Sequence, residues 1–346
     1  MLKIDGSQKS GSGTILRLSV AMAAILNQPL HIFNIRKKRP QPGLKPQHLE
    51  AVLTAAKLCN ATLKGAKLGS KELFFYPTEI KGGDVKAEIG TAGSIPMLLI
   101  TVIPICAYAR SPVSIHISKG GTDVSHSPTI NYLNHVFLSA LERMGLKTSL
   151  TIHKYGYYPK GMGEVSIKVQ PNPKLSAFRF EEFSHLKSLK GVSVCTFLAE
   201  KNVAQRQAKA AEDFLKAYGY EATIKVINDF SNPLQKGSSI TLWTQNMENV
   251  FLGGDAIGEL RKSSEIVGKE AARNLLREIQ ARATVDFHLA DLLVPYMALA
   301  EGESVFLVRS MTSHLDTNIW LSEKVLGVKF ATSGIGNLYK VKKKMS

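Results

Sequence analysis

GTILRLSVAMAAILNQPLHIFNI, residues 13–35, sets the pattern from which the fold of this sequence can be inferred. Its first part carries apolar residues at helical spacing, which predicts a helix over 13–27. Pro29 closes that helix, and the alternating residues of 30–35 are typical of a strand. A polar, basic loop, RKKRPQPGLK, then leads to a second predicted helix that begins at Pro46.

This order of elements returns twice farther along the chain. The second copy has a buried helix over 90–109, a strand over 113–118, a polar loop, and a helix for which Ser127 and Pro128 form a good start. The third copy has a helix over 285–302, a strand, the loop SMTSHLD and a last helix, TNIWLSEKVLG. The recurrence predicts a fold built from three similar units.

Short strands complete each unit, and in the first unit they are the segments 61–68, 71–77 and 84–90. After the second unit, QPNPKLSAF indicates a linker. The following stretch, of domain size at roughly a hundred residues, alternates strand and helix patterns and has its last helix starting near Ser263. This stretch predicts a smaller α/β domain inserted before the third unit.

Composition bounds the class of protein. The 346 residues are 44% hydrophobic, which suffices for a buried core in one or two domains. Three cysteines without a CxxC pair argue against disulfides or zinc and for a reducing cytoplasm. We see no secretory signal, and the longest apolar run, 95–109, is too short for a bilayer, so we expect a soluble protein without a membrane partner. The net charge of +16 would attract polyanions such as nucleic acid, although a generally basic surface would carry it equally well.

Each unit places a polar loop between its strand and its second helix. The first loop holds Arg36 and Arg39, the second holds GGTD, and the third holds His314. A lone histidine in a polar turn is usually structural or solvent-facing, since only a positioned base or nucleophile matters to catalysis. Three equivalent loops nevertheless predict one shared site, because helix N-termini there would offer free N–H groups and positive dipole ends to phosphates.

Seven motifs follow one another along the chain: DGSQ…GSGTILR, IRKKRPQPGLKPQHLEA, GGD…IGTAGS, GGTD, GYYPKGMGEV, HLADLLVPYMALA and SHLDTNI. In this order they resemble the RNA 3′-terminal phosphate cyclase family, of the archaeal and bacterial type, over nearly the whole length. The resemblance implies an α+β fold of three repeated units, each of two helices on a four-stranded sheet, with a smaller α/β insert domain. We therefore expect the large repeat domain at 1–179 and 281–346, and the insert domain at 180–280.

The resemblance also implies a reaction. Family members use ATP and a divalent metal, Mg or Mn, to convert an RNA 3′-phosphate end into a 2′,3′-cyclic phosphate, through a histidine–AMP intermediate and an RNA-adenylate. His314 of SHLDTNI matches the adenylylated histidine. The chemistry agrees with this match, because a neutral imidazole is a competent nucleophile near pH 7 and a covalent intermediate divides a difficult step into easier ones.

Further positions match family contacts to the nucleotide. The phosphate-binding positions are Arg17, Arg36 and Arg39, which suit the task because a guanidinium pairs bidentately with phosphate oxygens. The positions that match the rest of the nucleotide site are Gln47, Pro128, Phe251, His288 and Asp291. Simpler roles stay open for Arg17 as a helix arginine lying along the surface, for Asp291 as a surface acid and for Phe251 as a core residue.

The sequence also departs from the family pattern. Ser10 stands where members commonly carry a glutamate that can hold a divalent metal, and a hydroxyl is a weaker ligand for a hard cation. Ile100 replaces a polar glutamine, and His288 replaces an aromatic residue near the nucleotide. We therefore expect the metal to be held largely by ATP phosphates and water.

Two other functions compete with the cyclase. A non-catalytic relative of the cyclases, serving RNA processing or ribosome assembly, is favoured by the loss of the acid at Ser10 and disfavoured by the retention of His314 and the arginines. An enolpyruvyl transferase uses similar repeated units, but the histidine motif has no task in that chemistry, and fold alone does not fix function.

Overall fold

The computed structural model describes residues 1–184, 186, 188–244 and 250–344. In these residues, helices pack on four small sheets of four strands each. The predicted mixture of helices and sheets is therefore confirmed. None of the described helices has both the length and the apolar character needed to cross a bilayer.

The first sheet forms around the opening sequence. Its elements are β1 (Leu2–Asp5), α1 (Gly13–Ile25), β2 (Leu30–Phe33), α2 (Pro46–Leu58), β3 (Thr62–Lys64) and β4 (Leu73–Tyr76). The strand order is β1-β2-β4-β3, with β1 and β2 parallel and the other pairs antiparallel. The Ser12 hydroxyl begins α1 by accepting a hydrogen bond from the Thr14 amide.

The second sheet takes its first strand from a segment that we had assigned to the first unit. Its elements are β5 (Gly83–Glu88), α3 (Ile95–Cys106), β6 (Val113–Gly120), α4 (Ile130–Tyr132), a π-helical turn (Leu133–Phe137), α5 (Leu138–Arg143), β7 (Thr148–Lys154) and β8 (Gly163–Val169). The order is β5-β6-β8-β7, with β5 parallel to β6. The predicted helix start at Ser127 and Pro128 is wrong by two residues, because the Thr129 hydroxyl accepts from the Tyr132 amide and the helix begins at Ile130.

The chain then forms one short strand, β9, and after it a separate sheet with its own helices. The elements are β9 (Arg179–Phe180), β10 (Leu189–Thr196), a 3₁₀ turn (Ala199–Lys201), α6 (Val203–Lys216), β11 (Ala222–Asp229), β12 (Gly237–Thr244), β13 (Gly253–Ile257) and α7 (Ser264–Ala281). The last four strands form a sheet in the order β11-β10-β12-β13. The predicted helix near Ser263 is confirmed, since the hydroxyl of that residue accepts from the Ile266 amide.

The remaining elements are α8 (Phe287–Leu299), β14 (Ser304–Val308), α9 (Ser313–Leu326), β15 (Phe330–Ile335) and β16 (Leu338–Lys343). They form a sheet in the order β9-β14-β16-β15, with β9 parallel to β14. This sheet and the first two thus have the same pairing scheme, in which a parallel pair is extended by two antiparallel strands. The helices α1, α3, α8 and α9 contact one another over these sheets.

Two apolar cores hold these elements together. The larger core includes buried side chains from all three similar sheets and from the helices packed on them. The second lies between α6, α7 and the sheet that contains β10, and it includes the fully buried Leu215, Leu242 and Leu275. A chain with two cores of this kind has two regions that each bury their own apolar surface.

A single carboxylate links three distant parts of the chain. Asp286 caps α8 by accepting hydrogen bonds from the amides of His288 (2.9 Å) and Leu289 (3.0 Å). It also accepts from the Tyr132 hydroxyl, at 2.7 and 2.9 Å to its two oxygens, and from the Gly253 amide at 2.8 Å. The side chain is buried, which raises the pKa of this carboxyl to about 6 despite these donors.

We predict that Asp286→Ala lowers the free energy of unfolding by about 3–7 kcal/mol, because the variant loses the cap of α8 and leaves both the Tyr132 hydroxyl and the Gly253 amide without an acceptor. A lost helix cap costs about 1 kcal/mol, and each buried donor left without a partner costs about 1–3 kcal/mol more. Urea denaturation measures the loss, with Ser263→Ala at the start of α7 as the matched cap. That control should lose only about 1 kcal/mol, and an equal loss in both variants would show that Asp286 acts as a cap alone.

Candidate active site

His314 lies in the first turn of α9 rather than in the loop before it. The helix begins earlier than predicted because the Thr312 hydroxyl accepts from the Leu315 amide at 2.9 Å. Thr312 in turn donates to Asp291 Oδ1 at 2.5 Å, which fixes the cap that carries the histidine. The half-buried imidazole is thus placed at a helix N-terminus, where the dipole favours a neutral ring and negatively charged ligands.

Thr14 holds the imidazole from the opposite end of the chain. Its hydroxyl lies 3.0 Å from His314 Nδ1, across 300 positions of sequence. The same hydroxyl oxygen accepts from Arg17 Nη2 at 3.3 Å. Because that oxygen has two lone pairs, it can accept from both groups, and the other imidazole nitrogen, Nε2, then keeps a free lone pair.

The three predicted arginines carry unbalanced charge. Within the described residues, none of Arg17, Arg36 and Arg39 has a carboxylate within ion-pair distance. Burial, followed by the charges of Arg36 and Arg39, lowers the pKa of Arg17 to about 10, so its guanidinium stays charged at neutral pH. Guanidinium groups close enough to repel one another favour an anion among them.

The arginines differ in how much of each is free to bind. Arg36 is buried, and its Nη1 donates to the carbonyl oxygens of Gln41 (2.8 Å) and Gly43 (2.7 Å). Arg39, in contrast, is exposed. Arg36 therefore shapes the loop that Arg39 extends into solvent.

His48 completes the cluster and was missed in the sequence. It lies on α2, it is 5% exposed, and its Nδ1 has no hydrogen-bond partner among the residues that the structure describes. Burial, followed by the charges of Arg17 and Arg36, lowers its pKa to about 2, so the ring is neutral. Gly13 permits this approach, since a β-carbon there would come within 2.3 Å of His48 Nε2. The only available signal was the place of this histidine one turn into the helix after the arginine loop.

Gln47 and Pro128 lie at two junctions between elements, and among the described residues their neighbourhoods hold contacts other than His314. The Gln47 side-chain oxygen accepts from the Ser94 amide at 2.8 Å, which ties α2 to the start of α3. Pro128 is buried next to Thr129, whose amide donates to Asp255 of β13 at 2.8 Å. Gln47 thus joins helices of the first two sheets, whereas Pro128 only precedes the residue that joins the second sheet's helix to β13.

The remaining predicted residues divide into two groups. Asp291 holds the cap of α9, and burial raises the pKa of its carboxyl to about 7. The exposed His288 lies near enough to His314 to lower the pKa of His314. Phe251 is 4% exposed, and its ring packs at 5.9 Å from that of Phe178 and at 5.4 Å from that of Phe180. The structure therefore brings Asp291 and His288 to His314 and leaves Phe251 in the core.

The described residues do not fit a protein-held divalent metal. They include no group of three or more histidine, cysteine, aspartate or glutamate side chains arranged to hold one. At the position of the family acid, Ser10 Oγ is paired with Ser12 Oγ at 3.0 Å, and the Ser10 amide donates to the Thr317 hydroxyl. Hydroxyl groups of this kind do not replace the carboxylates that hard cations prefer.

A histidine at a helix start, beside arginines that have no carboxylate partner in the described part of the chain, is typical of proteins that bind phosphate groups. Comparison with known proteins narrows this class. The family model described as RNA 3′-terminal phosphate cyclase matches residues 8–332. The chain belongs to the RNA 3′-terminal phosphate cyclase family.

Relatives and solved structures give different degrees of similarity. An RNA 3′-terminal phosphate cyclase of Pyrobaculum aerophilum is 44% identical over 333 residues, covering 96% of this chain and 94% of its own. One of Pyrococcus furiosus is 42% identical over 334 residues, covering 96% of each chain. The solved enolpyruvyl transferase NikO from Streptomyces tendae covers 49% of this chain and 33% of its own, at 14% identity and a TM-score of 0.27.

We predict that Arg39→Gln raises the pKa of His314. Burial lowers that pKa most, and the charges of Arg17 and Arg39 lower it further. Removing the exposed charge should therefore move the pKa upward while leaving it below the ordinary 6.5. NMR titration of the imidazole measures the change, with the exposed strand residue Lys64→Gln as control. A pKa that stays the same in Arg39→Gln would place this guanidinium away from the histidine.

Proposed function

We propose that this protein is an ATP-dependent RNA 3′-terminal phosphate cyclase that converts an RNA 3′-phosphate end into a 2′,3′-cyclic phosphate. The observation that carries the proposal is the position of His314, held by Thr14 beside arginines that have no carboxylate partner among the described residues. The family membership of the chain supports the same activity.

We propose the domain organisation on related grounds. The common pairing scheme of three sheets supports three repeated units of two helices on a four-stranded sheet. The second core supports a smaller α/β insert domain at 180–280 between the parts 1–179 and 281–346 of the large domain. If the three units arose by duplication, the arginine loop of the first unit and the start of α9 in the third unit would occupy the same position in their respective units.

In the first proposed step, His314 Nε2 attacks the α-phosphorus of ATP. A nitrogen–phosphorus bond forms, and the bond to the β-phosphate oxygen breaks, so pyrophosphate leaves and AMP stays on the imidazole. Thr14 prepares this step by accepting at Nδ1, which leaves the lone pair on Nε2. The lowered pKa of His314 keeps the ring neutral and nucleophilic at physiological pH.

Two transfers complete the reaction. A terminal oxygen of the RNA 3′-phosphate attacks the phosphorus of the bound AMP, which frees His314 and forms an RNA-adenylate anhydride. The ribose 2′-OH then attacks the RNA phosphorus, loses its proton, and releases AMP to leave the cyclic ester. The first transfer supplies a good leaving group where a phosphate oxygen would be a poor one.

The proposed phosphate contacts come from Arg17 and Arg39, which have no carboxylate partner among the described residues. Arg36 contributes through the shape of its loop and through any nitrogen not already bonded. For the rest of the nucleotide we propose Asp291 and His288, which lie near His314.

Gln47 and Pro128 stay proposed nucleotide contacts, supported by their places at the junctions around the cluster. Phe251 stays a proposed contact only if the ring leaves the core. The cation that accompanies ATP, Mg or Mn, would enter as part of the substrate, since Ser10 offers no carboxylate. We propose the cytoplasm as the compartment.

The alternative is a non-catalytic member that assists RNA processing or ribosome assembly. Ser10 favours it, because an acid common in the family is absent. A scaffold, however, has no use for an imidazole that is oriented at one nitrogen and surrounded by uncompensated arginines. The cyclase is therefore the function that the geometry supports best.

We predict that incubation with ATP and a divalent cation adds one AMP to the protein, and that His314→Asn abolishes the adduct. The bond should be an acid-labile phosphoramidate, because the nucleophile is a ring nitrogen. Intact-mass spectrometry measures the adduct, and thermal unfolding checks that the variant is folded. Thr14→Ser should keep the yield, while Thr14→Val should slow adduct formation. An adduct of normal yield in His314→Asn would remove this residue from the mechanism, and no adduct in the parent protein would favour the scaffold.

We predict that Arg39→Ala lowers turnover on RNA 3′-phosphate ends by one to two orders of magnitude. A well-made charge-assisted contact contributes about 1.5–3 kcal/mol, which corresponds to such a change in rate. Turnover is measured on one RNA across a salt series, with Lys344→Ala in the tail as the control. The control should lose only the diffuse attraction that salt screens, and the same behaviour in Arg39→Ala would assign Arg39 to a general basic surface.

A further inference from the structure

An exposed aromatic surface lies on two loops that the proposed mechanism does not use. We define the Tyr158–Phe230 surface by Tyr158, Lys160, Phe230, Leu234 and Lys236. The side chains of Tyr158, Phe230 and Leu234 are 78%, 61% and 54% exposed. Large exposed apolar groups in one place commonly mark a binding surface.

The two loops are fixed to each other. The buried Asn232 donates from Nδ2 to the carbonyl oxygens of Tyr155 (2.7 Å) and Gly161 (3.1 Å). The Lys160 amide donates to the Gln235 side chain at 3.1 Å. The exposed rings therefore stand on a backbone that is already ordered, which lowers the entropic cost of binding.

The charge of this surface is positive. In the ion pairs of the described residues, neither Lys160 nor Lys236 takes part, and both are exposed. The nearby carboxylate of Asp229 accepts from Thr196 (2.8 Å) and Ser231 (3.2 Å) at the base of the loop. Rings interleaved with free lysines are the features by which proteins hold single-stranded nucleic acid.

A chain of contacts connects this surface to the arginine cluster. A β-carbon at Gly161 would come within 2.8 Å of the Thr91 carbonyl oxygen, so the Tyr158 loop lies directly on the loop before α3. A β-carbon at Gly93 of that loop would come within 2.9 Å of Gln47 Cβ. The neighbour of Gln47 is His48, which packs against Gly13 and Arg17.

We infer that the Tyr158–Phe230 surface binds nucleotides of the RNA that lie upstream of the last two before the 3′-terminal phosphate, by stacking their bases on the two rings. The inference rests on the proposed function, because the arginine cluster must hold the terminal phosphate. Lys160 and Lys236 contact the backbone between those bases. Stacking accepts any base, so this contact gives affinity for single-stranded ends without a sequence requirement.

The test compares a 3′-phosphorylated dinucleotide with a longer, unstructured 3′-phosphorylated oligonucleotide as substrates. In the double variant Tyr158→Ala, Phe230→Ala, KM for the longer substrate should rise about tenfold. KM for the dinucleotide, which is too short to reach the surface, and the yield of AMP adduct from ATP alone should not change. Tyr158→Trp should restore the affinity that an alanine at this position removes.

Tyr218→Ala is the matched control, since Tyr218 is 53% exposed and follows the same domain's α6. Tyr218 precedes the start of β11, whereas Phe230 follows its end. The length of β11, about 23 Å, therefore lies between Tyr218 and Phe230. The control should leave KM unchanged for both substrates. An equal effect of the double variant on both substrates, or an effect of the control as large as that of the double variant, would overturn the inference.

Direct binding separates this inference from the proposed function. If the parent protein forms no adduct and cyclises no RNA, the proposed function fails, but fluorescence anisotropy of the longer oligonucleotide still measures its Kd. A Kd about tenfold weaker in the double variant supports the surface on its own. An unchanged Kd, or a surface that retains another protein while RNA binding is unaffected, overturns it.

Discussion

The arrangement around His314 depends on the hydrogen bonds that the Asp286 carboxylate accepts. This carboxylate joins the start of α8, the Tyr132 hydroxyl of the second sheet's helix and the Gly253 amide of β13 in one buried cluster. Because α8 also carries Asp291, and Asp291 holds the Thr312 cap of α9, the position of the histidine follows from the position of this carboxylate. Burial disfavours the charged carboxylate, and this raises the pKa of Asp286.

The arginines near His314 place several positive charges close together, whereas Asp286 is a single buried negative charge. Arg17, Arg36 and His48 lie within each other's field, and the fold keeps them there by burial and by hydrogen bonds to backbone oxygens. In the absence of an anion, this arrangement opposes the stability of the protein, since the arginine charges repel and a buried nitrogen of His48 lacks a partner in the described part of the chain. Such a site binds phosphate more tightly, because the bound anion removes the repulsion between the arginine charges.

Local patterns in the sequence were enough to predict where most helices lie, to within several residues, and to place His314 near a helix start. They were not enough for strand pairing. The segment of β5 is predicted to complete the first unit, but it pairs with β6 of the second sheet. The two residues of β9 pair with a strand more than a hundred positions later. Parallel pairing depends on contacts between distant segments, which periodicity does not contain. His48 and Thr14 were missed for the same reason, since the groups that they approach lie on other elements of the fold. The buried position of Phe251 agrees with the simpler of its two predicted roles, that of a core residue.

The parallel pairing of β9 with β14 also orders events on the ribosome. Residues 189–281 emerge after β9 and before β14, and they can bury their own core while β9 still has no partner. The third sheet closes only after β16 has emerged, because β16 lies between β14 and β15. The arginines are therefore translated before His314, which joins them only after the intervening residues have emerged. A growing chain can bind anions before its nucleophile is made, so on the proposed function the enzyme stays unreactive until α9 has emerged.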